Sequence, residues 1–195
     1  MIRRAIGKTY LRRIGWTIEG TPPAADHVGV LLAAPHTSTQ DFFLMLSTAW
    51  AQDIKVRYLL KKELFRGPAV LWWRFTGALP TDRRNPGALV DDLVARASCG
   101  EAFTLLIAPE GTRQLGEGWR SGFYRIARGA DVPVTPTSVD AATRTITFGP
   151  TFRLTGDVVA DMDRLRAFYA DKGGVDPSRK SPVRLSMEGD TLQTG

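Results

Sequence analysis

The loop that follows the first apolar block of the chain reads Ala34-Pro35-His36-Thr37-Ser38-Thr39-Gln40-Asp41-Phe42-Phe43. Residues 28–33 before it are apolar apart from one glycine, which is typical of a buried strand in a parallel sheet. Residues 38–51 after it predict a helix, because Ser38 can cap the first turn and an amphipathic run follows. The loop therefore joins the end of a strand to the start of a helix.

The rest of the sequence continues this alternation. Further strands are predicted over residues 54–60, 103–108, 132–137 and 145–148. Further helices are predicted over residues 2–14, 68–75, 86–97, 120–130 and 158–172. Strands that alternate with helices at this spacing predict an α/β fold, a single layered domain over residues 1–195 with a largely parallel mixed sheet flanked by helices.

The two ends of the chain differ from this middle part. Residues 1–20 form a basic segment that begins with an amphipathic helix, whose apolar side carries Ile2, Ile6 and Tyr10. Such a segment can lie in a lipid headgroup layer or dock on the domain with its charges solvated, and both alternatives stay open. Residues 173–195 are rich in Gly, Pro, Ser and charged side chains, which predicts a weakly ordered tail.

The composition narrows the classes of partner. There are 26 Lys and Arg against 20 Asp and Glu, and the net charge of +6 favours an anionic lipid or a phosphorylated substrate. No aromatic block or zinc-finger spacing accompanies this charge, so we expect no nucleic-acid partner.

A single cysteine, Cys99, excludes an internal disulfide, and no cluster of Cys and His residues predicts a metal site. The longest apolar stretch is too short to span a bilayer, and the first residues lack a secretory signal, which favours a cytoplasmic location.

The polar loop contains one of the two histidines in the chain, five positions before an aspartate. A histidine at a strand end followed by a carboxylate is the arrangement that a general base and its orienting partner require. There is a second interpretation, in which Ser38 and Asp41 form a capping box for the following helix. His36 would then be an ordinary residue at the end of a strand.

A second polar block follows the strand predicted over residues 103–108 and reads Glu110-Gly111-Thr112-Arg113. It combines an acid, a flexible turn and an arginine that can bind a phosphate through two hydrogen bonds. An ordinary turn with a solvated arginine is the alternative. Lys61 and Arg83 follow two further apolar segments. Because the carboxyl ends of parallel strands meet at one edge of a sheet, we expect these loops to converge around a ligand.

In this order the blocks resemble the glycerolipid acyltransferase family, which includes lysophosphatidate and glycerol-3-phosphate acyltransferases. The resemblance covers residues 28–140. It rests on the His-x-x-x-x-Asp block, a Lys-x-Glu-Leu-Phe block at 61–65, a Gly…Asp-Arg block at 77–83, the Glu-Gly-Thr-Arg block, and a Val-Pro-Val-x-Pro block at 132–136. One such block alone would not indicate the family, but several blocks in the same order are specific for it.

The resemblance implies an enzyme that moves a fatty acyl group from acyl-CoA or acyl carrier protein to the hydroxyl of a glycerophosphate or lysophospholipid. It implies no cofactor besides this co-substrate, and peripheral contact with an anionic membrane, which we place at the inner face of the cell membrane. His36 and Asp41 match the catalytic pair of the family. The expected substrate-binding residues are Lys61, Arg83, Glu110, Gly111, Thr112 and Arg113.

Three alternatives remain at this stage. The chain could be a non-catalytic module that binds anionic lipid, or an acyltransferase that uses a lipid alcohol or amine without phosphate. His36, Asp41 and Glu110 could also hold a divalent metal for phosphoester hydrolysis.

The apolar run over residues 64–75 could form a groove for the acyl chain, lie at a lipid interface through its two tryptophans, or belong to the core.

Overall fold

The computed structural model describes residues 2–24, 28–81 and 104–188, together with Asp91, Ala95 and Cys99. Within these residues seven strands form one sheet in the order β1-β7-β6-β2-β5-β3-β4. The strands are β1 (Thr17–Glu19), β2 (Gly29–Ala33), β3 (Val56–Lys61), β4 (Ala78–Thr81), β5 (Thr104–Ile107), β6 (Val134–Asp140) and β7 (Thr145–Phe148). Every neighbouring pair is parallel except β6 and β7, which are antiparallel. The predicted α/β fold with a largely parallel mixed sheet is confirmed.

Five helices of the described residues flank the sheet. They are α1 (Ile2–Ile14), α2 (Thr39–Ala51), α3 (Ala69–Thr76), α4 (Gly122–Gly129) and α5 (Val158–Tyr169). All five were predicted from the sequence. The helix predicted over residues 86–97 falls largely outside the described residues; Asp91 and Ala95 within it are helical.

Side chains of the central strand point alternately to the two faces of the sheet. Val30 and Leu32 pack with α4 and α5 in one apolar cluster. Leu31 and Ala33 pack with α1 and α2 in a second cluster. Helices therefore cover both faces, as parallel sheets require. This arrangement leaves the edge where the strands end as the place where loops can gather.

The segment after residue 172 corrects one prediction. We expected a weakly ordered tail over residues 173–195, but residues 173–188 pack against the domain and contain two short 3-10 helices, Pro177–Arg179 and Ser186–Glu188. Leu185 is buried in the same cluster as α4 and α5, and Ser181 is buried as well. The apolar side chains spaced along this polar stretch supply the packing. Residues 189–195 lie outside the described residues.

The N-terminal helix lies across α2. Gly7 approaches α2 so closely that a Cβ atom there would be 2.3 Å from the carbonyl oxygen of Ser47 and 2.8 Å from the nitrogen of Ala51. Leu11 is buried, whereas Ile2 and Ile6 remain exposed. The helix is thus docked on the domain and still presents apolar side chains to the surroundings. No helix in the described part of the chain is long and apolar enough to cross a membrane.

We predict that Gly7→Ala destabilises the protein by about 1–3 kcal/mol, because the added methyl group meets backbone atoms that cannot move aside. Gly122→Ala is the matched control, since a Cβ at that helical glycine meets nothing within 4 Å. It should be neutral or slightly stabilising. Thermal unfolding of both variants checks the prediction. Equal melting temperatures would show that α1 does not pack on α2 at this distance.

Candidate active site

Three of the predicted loops follow strands that are neighbours in the sheet. His36 follows β2, Glu110 follows β5, and Lys61 is the last residue of β3. The strands lie in the order β2-β5-β3 and run in the same direction. Their carboxyl ends therefore meet at one edge, which is where open α/β sheets bind ligands.

Asp41 forms the capping box at the start of α2. The hydroxyl oxygen of Ser38 accepts a hydrogen bond from the nitrogen of Gln40 at 2.9 Å. The Oδ2 atom of Asp41 reaches back and accepts from the nitrogen of Ser38 at 2.6 Å and from the nitrogen of Thr37 at 2.6 Å. The capping interpretation of this sequence is therefore correct for Ser38 and Asp41.

The same carboxylate also faces the histidine. The distance between Nδ1 of His36 and Oδ2 of Asp41 is 3.8 Å, an ion-pair distance rather than a hydrogen bond. The other oxygen, Oδ1, is buried and accepts no hydrogen bond from the described residues. A small rotation of the imidazole would let Nδ1–H donate to this carboxylate. The opposite ring nitrogen, Nε2, is then left for a substrate.

Burial sets the charge of this pair. Burial lowers the pKa of His36, Asp41 raises it, and the cation of Arg113 lowers it further. The net shift is downward, so the imidazole is neutral at pH 7 and can accept a proton. Burial also raises the pKa of Asp41, while hydrogen bonds from the backbone of Ser38 and Thr37 lower it.

Glu110 holds the backbone of the histidine. Its Oε2 atom accepts a hydrogen bond from the nitrogen of His36 at 2.6 Å, and only 4% of the residue is exposed. Burial raises the pKa of Glu110 to about 7, with the hydrogen bond from His36 acting in the opposite direction. A side chain so enclosed positions the His36 loop, and its contact with substrate stays a prediction.

The loop after Glu110 carries the other predicted residues. Gly111 has a φ of 66°, a conformation that favours glycine, and its nitrogen donates to the oxygen of Ala108 at 3.1 Å. Thr112 accepts from the nitrogen of Gln114 at 3.2 Å. The guanidinium of Arg113 is exposed and donates through Nη1 to the hydroxyl of Thr39 at 2.5 Å. The arginine is thereby held beside the first turn of α2.

The two remaining predicted residues are less closely tied to this site. Lys61 is exposed at the end of β3, two strands from β2 or roughly 10 Å away in the sheet. Arg83 lies outside the described residues. The site that the structure brings together thus consists of His36, Asp41 and the loop from Glu110 to Arg113.

Sequence reasoning missed two residues around this site, Thr37 and Arg120. The hydroxyl of Thr37 donates to Asp41 and also contacts a segment near the end of the chain. Arg120 is exposed, and its side chain fills the space that a Cβ on Gly111 would occupy. The only sequence signal for Thr37 was its place inside the polar loop, and Arg120 had none beyond its positive charge.

An open groove of about 750 Å³, lined by apolar and charged side chains, lies next to the loop that carries Glu110. Its wall includes Ile107, Ala108 and Pro109, which lead into that loop, together with Trp119 before α4 and Phe123 within it. The side chains of residues 64–75, which we considered for an acyl groove, fall into two groups, one packed against the core and one exposed. Phe65 and Trp73 pack against the core, while Leu64, Leu71, Trp72 and Phe75 are exposed.

Comparisons with known proteins agree with this fold. The family model described as Acyltransferase matches residues 8–140, more than half of the chain. This match assigns residues 8–140 to the acyltransferase domain family. The chain belongs to the acyltransferase family, and the resemblance to glycerolipid acyltransferases seen in its sequence blocks is confirmed.

Two relatives are similar over much of the chain. A 1-acyl-sn-glycerol-3-phosphate acyltransferase of Streptococcus pneumoniae is 30% identical over 142 residues, which are 66% of this chain and 52% of the relative. The chain thus spans about half the length of that relative. The crystal structure of the 1-acyl-sn-glycerophosphate (LPA) acyltransferase PlsC from Thermotoga maritima matches with a TM-score of 0.55 and 16% identity, over 87% of this chain and 74% of that one. At this identity the second match shows a shared fold.

We predict that Glu110→Gln becomes more stable relative to the wild type as the pH rises from 5 to 8. The folded protein keeps the Glu110 proton up to about pH 7, whereas the unfolded chain releases it near 4.5, so wild-type stability falls across this window. The relative gain should approach about 3 kcal/mol, since each pH unit between the two pKa values is worth about 1.4 kcal/mol. Unfolding by urea across this pH range measures it.

Glu117→Gln serves as the control for an exposed glutamate a few residues away. A difference between Glu110→Gln and the wild type that does not change with pH would contradict the raised pKa of Glu110.

Proposed function

We propose that this protein transfers a fatty acyl group from acyl-CoA or acyl carrier protein to the hydroxyl of a glycerophosphate or lysophospholipid. The observation that carries the proposal is a neutral histidine backed by a buried carboxylate at the carboxyl edge of the sheet. The name of the Streptococcus pneumoniae relative, a 1-acyl-sn-glycerol-3-phosphate acyltransferase, supports this choice of acceptor.

In the proposed mechanism Nε2 of His36 takes the proton of the acceptor hydroxyl as its oxygen attacks the thioester carbonyl. The new ester C–O bond forms, the C–S bond breaks, and the leaving thiolate takes the proton from the imidazolium. Asp41 fixes the orientation of the imidazole and stabilises its charged form, as the aspartate of a Ser-His-Asp triad does. No nucleophile of the enzyme is required, since the acceptor oxygen attacks directly.

The cations around the site suit an acceptor that carries a phosphate. Arg113 is fixed through Thr39 at the start of α2, and Arg120 lies against Gly111 of the same loop. Arginines placed in this way can hold a phosphate by paired hydrogen bonds and so position the neighbouring hydroxyl. Lys61 and Arg83 are the other two cations that we propose, from the sequence, to bind the substrate. An acceptor without phosphate would leave these arginines unused.

The proposal includes peripheral contact with an anionic membrane at the cytoplasmic face. Apolar side chains of α1 and α3 stand in solvent, among them Ile2 with 73% exposed, Leu71 with 75% and Trp72 with 49%. They form one surface, because the guanidinium of Arg3 lies 4.7 Å above the ring of Phe75 in α3. Exposed cations lie on the same two helices and in the residues that precede α3, at Arg3, Arg4, Lys61, Lys62, Arg66 and Arg74. An apolar face with a basic rim fits anionic lipid.

This apolar surface is also what a non-catalytic lipid-binding module would use, and it is the specific observation in favour of that second candidate function. The metal-dependent alternative has less support, since among the described residues no three His, Cys, Asp or Glu side chains form a group that could hold a metal ion. Activity that survives a chelator would count against a metal directly.

We predict that His36→Ala abolishes acyl transfer while the fold remains intact, because the general base is lost. The measurement is thiol release from acyl-CoA and from acyl carrier protein, with lysophosphatidic acid, glycerol-3-phosphate or an alcohol without phosphate as acceptor. Circular dichroism and thermal unfolding control for the fold. Retained turnover in the variant would refute the mechanism, and a folded wild type that is silent with every pair would favour the lipid-binding module.

We predict that replacing Leu71 and Trp72 by serine weakens binding to vesicles that contain phosphatidylglycerol by about tenfold or more. Each side chain loses apolar area that the membrane would cover, and 1.4 kcal/mol corresponds to a factor of ten. Val159→Ser, at a partly exposed position of α5 on the other face of the sheet, is the control for loss of an apolar side chain elsewhere. Vesicle sedimentation measures binding, and an unchanged affinity in the double variant would exclude this surface as the membrane contact.

A further inference from the structure

The hydroxyl group of Thr37 is a junction between the active-site loop and the end of the chain. It donates to Oδ2 of Asp41 at 3.2 Å and accepts from the nitrogens of Val175 at 3.1 Å and Asp176 at 3.0 Å. One proton and two lone pairs are all that a hydroxyl offers, so each is used. Thr37 is fully buried, and water does not compete for these bonds.

The partner segment, residues 173–180, is called the C-terminal strap below. Its start is fixed by a hydrogen bond from the nitrogen of Ala141, after β6, to the oxygen of Gly174 at 3.1 Å. Its end is fixed by Nζ of Lys180, which donates to the oxygen of Tyr169 at 2.7 Å. The strap is therefore attached to the sheet and to α5 independently of Thr37.

The strap also touches the loop directly. Gly174 has a φ of 74°, and a Cβ atom there would lie 3.0 Å from the hydroxyl oxygen of Thr37 and 3.3 Å from Cβ of Pro35. Glycine at this position lets the strap backbone lie against the loop on both sides of His36. The contact spans 138 residues of sequence, from Thr37 to Val175.

We propose that Thr37 is a positioning residue, whose hydroxyl joins the Asp41 carboxylate to the C-terminal strap and so fixes the backbone on which His36 stands. The nitrogen of His36 is held by Glu110, and the next residue is held by Asp41 and the strap. The imidazole thus projects from a segment fixed at two consecutive residues. The effect on turnover rests on the function proposed above, whereas the link itself is a property of the fold.

The enzymatic test compares Thr37→Val, which keeps the shape of the side chain but loses the hydroxyl, with Thr37→Ser, which keeps the hydroxyl. We expect Thr37→Val to lower kcat roughly tenfold to a hundredfold with little change in KM, because misplacing a catalytic group by about 1 Å costs this much. Thr37→Ser should restore most of the rate. A merely structural threonine would instead change the melting temperature and leave kcat of the folded fraction intact.

Thr48→Val is the matched control, since Thr48 is equally buried in α2 and its hydroxyl has no hydrogen-bond partner among the described residues. It should keep the wild-type kcat. Should Thr37→Val fail to fold, Gly174→Ala tests the link from the strap, where the added methyl group crowds Thr37 and should lower kcat. A wild-type kcat in folded Thr37→Val or Gly174→Ala would overturn the proposal, and so would equal losses in the valine and serine variants.

Amide hydrogen exchange gives a readout that needs no activity. The amides of Val175 and Asp176 should exchange at least tenfold faster in Thr37→Val than in the wild type, and at nearly the wild-type rate in Thr37→Ser. Unchanged exchange in the valine variant would overturn the link. A wild type without acyl transfer would refute the proposed function, and the exchange rates would still decide whether Thr37 carries the link.

Discussion

The carboxylate of Asp41 accepts hydrogen bonds from the backbone nitrogens of Thr37 and Ser38 and from the hydroxyl of Thr37, all through one oxygen. These bonds start α2 and at the same time fix the loop that carries His36. They also stabilise a negative charge that burial disfavours. The Asp41 carboxylate therefore serves both as the cap of α2 and as the partner of the His36 imidazole. The remainder of the site is arranged around it.

The sequence alone led to two competing interpretations of this group, a capping box or a catalytic pair. The structure shows that they do not exclude each other, because the cap brings the Asp41 carboxylate to within 3.8 Å of His36. Local sequence patterns predicted the capping box well, and they also predicted α1 and the central strands. They did not predict β1, which has three residues and little burial, or β4, which contains a proline, or the contact of Thr37 with Val175. Contacts between distant residues without periodic burial leave no local signal.

Burial explains why three ionisable groups so close together need not all be charged. The pKa of His36 is lowered, and the pKa values of Asp41 and Glu110 are raised, each chiefly because of burial. Burial thus favours the neutral forms of the imidazole and of Glu110 near pH 7. The exposed cation of Arg113 keeps its hydration in the free protein, so no burial cost opposes its charge, and it is accessible to a charged ligand.

Helix α2 links the chemistry to the exposed apolar surface. It carries Asp41 in its first turn and Phe43 just after that turn, and Phe43 is 46% exposed. Trp50, seven residues later and so on the same side of the helix, contacts the ring of Phe75 in α3. One end of α2 therefore adjoins the catalytic loop, and the other end contacts the helix that carries part of the apolar surface. If, as proposed, the acceptor is a lipid and this surface contacts the membrane, the headgroup would meet the arginines of the site while the chain stays in the membrane, so the enzyme need not extract the whole lipid into water.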